Sequence, residues 1–93
     1  MALDAKTLAI VHRLVQYLRD HPRAADGAQG IAVWWLSDYT LAHTTQLSAA
    51  LTWMQQHRLI ETVKAADGRV RYRRPLTVSD IEQALHAALQ GEA

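Results

Sequence analysis

Arginines at positions 69, 71 and 73 alternate with Val70 and Tyr72 in the stretch KAADGRVRYRR, residues 64–74. Residues two apart on a strand share a face, so this spacing sets three guanidinium groups on one side and an apolar pair on the other. The chemistry of such a row is anion recognition, because a planar guanidinium fork matches phosphate and carboxylate oxygens. A plainer use exists for the same pattern. Outward cations on a half-buried hairpin also keep its edge from pairing with other chains.

No other constellation suggests reaction chemistry. His12, His21, His43, His57 and His86 are scattered at spacings that fit no metal-ligand set, and no acids cluster beside them. Asp38, His43 and Ser48 contain the residue types of a catalytic set, yet no nucleophile elbow or phosphate-binding glycine loop accompanies them. The chain has no cysteine, which removes disulfides, thiolate metal sites and a thiol nucleophile. The expectation is a protein that is not an enzyme and needs no metal or cofactor.

The net charge of +1 conceals an uneven distribution. Residues 58–74 hold Arg58, Lys64, Arg69, Arg71, Arg73 and Arg74 against Glu61 and Asp67, whereas residues 75–93 hold Asp80, Glu82 and Glu92 with no lysine or arginine. The basic character therefore belongs to one segment. With 93 residues and 49% hydrophobic content the chain is sized for one domain with a modest core. Its first residues lack the pattern of a secretory signal and no apolar run approaches membrane-spanning length, so a cytoplasmic protein without membrane contact is expected.

Elements that would position the arginine row follow from periodicity. Leu8, Val11, Leu14, Val15 and Leu18 recur at helical spacing behind a capping Asp4, which predicts a first helix over about 4–20, closed by His21-Pro22. RAADGAQG reads as a loop. A short extended segment near Gly30 to Ala32 and a second helix over about 33–41 are expected next. Leu47, Ala50, Leu51 and Met54 then form an apolar stripe for a third helix over about 44–57, with Thr44 or Thr45 as its cap. LIETV and RVRYR flank Asp67-Gly68 and predict an antiparallel hairpin, with Val70 and Tyr72 turned to the core. Pro75 ends the return strand. Ser79 to Glu82 has capping-box spacing and opens a last helix over about 78–90, with Val78, Ile81, Leu85, Ala88 and Leu89 on one side and Gly91 as its stop.

The order of these elements from about residue 31 to 74 resembles the winged helix-turn-helix domains of bacterial transcription regulators. LSAALTWMQQHRLIETVKAADGRVRYR carries the likeness: a helix with its apolar seam, a short turn into Leu59-Ile60, and a wing with a glycine and arginines. The fold implied is mainly α with a small β-hairpin, built as a three-helix core over about 4–74, a two- or three-stranded wing and the C-terminal helix. The resemblance implies double-stranded DNA as partner, with the third helix in the major groove. By position, Thr44, Thr45, Gln46, Ser48, Ala49 and Thr52 would face DNA with His43 just before them, and Arg69, Arg71 and Arg73 would reach phosphates or the minor groove. Gln46 is the residue able to read adenine bidentately.

One feature departs from that pattern: from Tyr39 through His57 there is no Lys, Arg, Asp or Glu. Phosphate neutralisation supplies most affinity for duplex DNA, so the task falls to the wing and to Arg13, Arg19 or Arg23. A homodimer through the C-terminal helix, or through a patch of Trp34, Trp35 and Trp53, would double the contacts. The alternative is a winged-helix protein-interaction module, in which the uncharged third helix and an exposed Trp53 form a docking face.

Overall fold

The computed structural model describes residues 4–27, 30–31, 44–75 and 77–91. Among them run α1 (Ala5–Asp20), β1 (Ala25–Asp26), α2 (Thr44–Gln56), β2 (Glu61–Lys64), β3 (Val70–Arg73) and α3 (Ile81–Gly91). The three strands form one antiparallel sheet in the order β1-β3-β2. Between β1 and the hairpin the described residues hold α2 and, earlier, the helical pair Gly30 and Ile31. The helix expected over about 33–41, with Trp34 and Trp35, lies outside the described residues.

Helix α1 begins and ends as its sequence dictates. The Asp4 carboxylate accepts from the Thr7 N–H at 2.7 Å, and that bond holds the carboxyl below its ordinary pKa. At the other end the His21 N–H donates to Tyr17 O at 2.7 Å, and Pro22 prevents continuation. Ile10, Val11, Leu14, Val15 and Leu18 are buried along one stripe, which packs against both α2 and α3. Helix α1 is thus the spine on which the other two helices sit.

The buried stripe of α2 is Leu47, Ala50, Leu51 and Met54, joined by Trp53. Its C-terminal turn explains how the chain enters the hairpin. The Leu59 N–H donates to Met54 O at 2.8 Å and the Arg58 N–H to Gln55 O at 3.1 Å, the paired bonds of a Schellman motif. That motif needs a left-handed residue, and Arg58 fills the position with φ 60° where glycine is usual. The reversal drives Leu59 and Ile60 into the core, both buried, and releases β2 at Glu61.

The hairpin register pairs Glu61 with Arg73, Thr62 with Tyr72, Val63 with Arg71 and Lys64 with Val70. At its tip Gly68 N–H donates to Ala65 O at 2.9 Å and Ala65 N–H to Arg69 O at 2.8 Å, with Gly68 at φ 85°. A three-residue loop of this kind needs a left-handed third residue, which is why glycine follows Asp67. The Asp67 carboxylate also accepts the Arg69 N–H at 3.0 Å.

Three expectations are corrected here. Extended structure falls at Ala25–Asp26, within the stretch expected to be loop; of the segment expected near Gly30 to Ala32, Gly30 and Ile31 are helical, with the Ile31 N–H donating to Gly27 O at 2.9 Å, and Ala32 lies outside the described residues. The reason is tertiary, since β1 covers the open edge of β3 by pairing Ala25 with Arg73 and Asp26 with Tyr72. Val70 does not turn into the core but is 48% exposed, while Tyr72 alone of the two packs against it. The cap of α3 is Asp80, whose carboxylate accepts the Gln83 N–H at 3.1 Å, and Glu82 pairs instead with Arg19 at 2.9 Å. Gly91 is the last residue of α3. No described helix is long and apolar enough to cross a membrane.

Candidate nucleic-acid interface

The buried stripe of α2 leaves Ser48, Ala49, Thr52, Gln55 and Gln56 exposed on the opposite face. These residues recur at i, i+1, i+4, i+7 and i+8, so they form one continuous strip. The strip holds hydroxyls and amides and no charge. Of the residues expected to face a base edge, Ser48, Ala49 and Thr52 share this side of the helix, whereas Gln46 lies about 160° around the helix from Ser48, partly buried on the side of the seam; Thr44 and Thr45 begin α2, and His43 lies outside the described residues.

Trp53 is not on that strip. It is 5% exposed, packed in the core, and its ring lies 4.3 Å from the His57 ring. A docking face anchored by an exposed Trp53 is therefore corrected: the i+3 and i+4 neighbours that make the seam also carry Trp53 inward.

Charge on the hairpin is distributed differently from the expected row of three. Arg73 is half-buried and its Nε donates to Glu61 Oε2 at 2.7 Å, so its charge is matched by its cross-strand partner. Arg69 and Arg71 extend into solvent, the Arg69 side chain 85% exposed with a loose 3.8 Å approach to Asp67. Lys64, opposite Val70 on the other face of the ribbon, is exposed as well. Neither Lys64 nor Arg71 has a carboxylate within salt-bridge distance among the described residues. The tip is therefore cationic on both faces, which the alternation of Glu61, Thr62, Val63 and Lys64 made readable once the register was known.

Arg74 plays another part. Its guanidinium donates to Val78 O and its Nε is buried without a partner, so it braces the turn between β3 and α3 rather than facing solvent. Arg19 is held charged, above its ordinary pKa, first by Glu82 and then by Asp20. Both cations are thereby removed from the set available to a polyanion.

A second concavity, an open groove of about 340 Å³ between α1 and α3, is lined by His12, Val15, Gln16, Glu82, Leu85 and His86. It presents one ion pair and two exposed imidazoles around an apolar floor, with no nucleophile paired to a base. No group of three potential metal ligands occurs among the described residues. Searches against family models, curated proteins and solved structures found no match to this chain.

Proposed function

We propose that the protein binds double-stranded DNA as a winged helix-turn-helix domain and acts as a small transcriptional regulator. The observation that carries this reading is the hairpin tip, where Lys64, Arg69 and Arg71 stand exposed on a ribbon that directly follows a helix with one free polar face. The β1-β3-β2 sheet and the Schellman turn from α2 into β2 support it, because they hold that ribbon as a defined projection.

In this reading α2 lies in the major groove with Ser48, Ala49 and Thr52 toward the bases. Ser48 and Thr52 accept or donate to either neighbour and Ala49 meets a thymine methyl, while Gln46, the residue expected to read adenine, stands off this strip in the first turn. Arg69, Arg71 and Lys64 neutralise phosphates. With so few free cations a monomer binds weakly, and pairing of two copies through α3 raises the contact number and sets the half-site spacing.

The uncharged strip on α2 favours a second reading, a protein-interaction module whose arginines serve solubility or meet an acidic partner. Selection of bound fragments from random duplex DNA at two salt concentrations separates the two. Enrichment of a motif, with binding that weakens steeply as salt rises, is the expected outcome for a regulator. Absence of retained duplex at low salt, together with a stoichiometric protein partner, would establish the second reading instead.

A further inference from the structure

Val70 is the one large apolar side chain exposed among the described residues, and it stands beside the loop at the tip of the hairpin. Its cross-strand neighbour on the same face is Lys64, and its chain neighbours Arg69 and Arg71 project from the other face. An apolar point at a narrow tip, with one cation beside it and two on the reverse face, suits a ligand that is anionic at its flanks and apolar in a narrow slot between them. The stack of bases between two phosphate chains has that chemistry, and a lone branched side chain is the shape that enters it.

We infer that the hairpin tip is a wedge: Val70 enters a base step from the minor groove while Lys64, Arg69 and Arg71 hold the adjacent phosphates, so the protein selects deformable duplex DNA and bends it. This rests on the DNA-binding reading above and deepens it. The readout is then partly one of shape, since pyrimidine–purine steps open more easily than A-tracts. That suits a molecule whose α2 strip carries no charge to strengthen base contacts. A lipid surface also combines anionic headgroups with an apolar interior, but one valine offers far less buried surface than even a single acyl chain, which itself anchors only marginally.

The test uses duplexes of about 30 base pairs, with dyes at both ends, that differ only at a central TA step, an A-tract or a mismatch. Anisotropy reads affinity and energy transfer reads the bend. The unaltered protein is expected to shorten the end-to-end distance and to prefer the TA and mismatched duplexes by about tenfold. Val70→Ser abolishes the bend and the step preference while the salt dependence stays; Val70→Ile keeps both. Arg71→Ala weakens binding to every duplex and leaves the bend in the complexes that form. Thermal melting of each variant shows whether it is folded, and Val70→Ile provides the folded reference should the serine variant be damaged.

Bending by Val70→Ser equal to that of the unaltered protein, or binding without any step preference, overturns the wedge and leaves DNA binding standing. Failure to bind any duplex overturns the DNA reading and the wedge with it. Binding to vesicles of phosphatidylserine and phosphatidylcholine that is lost in Val70→Ser overturns the wedge in favour of a lipid surface.

Discussion

Helix α2 and the β2–β3 hairpin are adjacent in the chain and opposite in character. The helix buries Leu47, Ala50, Leu51, Trp53 and Met54 and shows solvent a strip without charge, whereas the hairpin contributes Tyr72 to the core and shows solvent Lys64, Arg69 and Arg71. A helix buries a whole stripe because four residues in each two turns face the same way; a two-stranded ribbon near its tip has no layer above it to bury against. The difference divides the labour of a candidate DNA-binding surface. Stability and shape come from one element and electrostatic attraction from the other.

The division is broken most severely from the core side. Met54→Ala removes a fully buried side chain at the meeting of α1 and α2, and a loss of about 2–5 kcal/mol is expected, read as a lower denaturation midpoint with unchanged slope. If the hairpin folded independently of that core, its chemical shifts would survive the variant. Their collapse together with α2 is the expected outcome.

Arg71→Ala tests the electrostatic side. Stability is expected to hold within about 0.5 kcal/mol, while affinity for all duplexes falls by roughly three- to tenfold and the logarithmic salt slope shrinks by about 0.9. An unchanged slope would show that this guanidinium meets no phosphate. Arg73→Ala sharpens the contrast, because Glu61 already matches that charge at 2.7 Å with both side chains more than a third exposed. The expected loss is about 0.2–1 kcal/mol of hairpin stability and a smaller loss of affinity than for Arg71→Ala. Equal effects on binding would mean that the pair opens to DNA.

The smallest effect lies at the junction of the two regions. Arg58 holds φ 60° at the close of α2, a conformation that costs a residue with a Cβ about 1 kcal/mol relative to glycine. Arg58→Gly is expected to raise stability by about 0.5 kcal/mol, part of the relief being cancelled by the freer unfolded chain. A decrease would show that the arginine side chain stabilises the junction by more than its backbone strain costs.

Much of this arrangement is legible before any folding is considered, and the unreadable parts share a cause. The stripes at Val11, Leu14, Val15 and Leu18 and at Leu47, Ala50, Leu51 and Met54 announce α1 and α2, and Asp67-Gly68 announces the hairpin, because each signal is local and repeated. Strand β1 has two residues, Ala25 and Asp26, without strand-forming side chains, and exists because β3 offers it an edge. Asp80 rather than Ser79 caps α3, and Glu82, expected to close a capping box, reaches instead to Arg19, a partner distant in sequence. In the candidate interface the exposed strip of α2 was readable as the complement of its seam. The half-burial of Arg73 against Glu61 was not, since it depends on register.

What the chain determines alone is periodic: which side of each helix is apolar, where the backbone reverses, and that the surplus of positive charge lies in residues 58–74. Which of those cations stand free is decided by tertiary structure. Register sets Glu61 beside Arg73, the turn before α3 claims Arg74, and the end of the core leaves Val70 and Lys64 in solvent. The reason is that a side chain's type is written locally, while its partners and burial depend on segments distant in sequence.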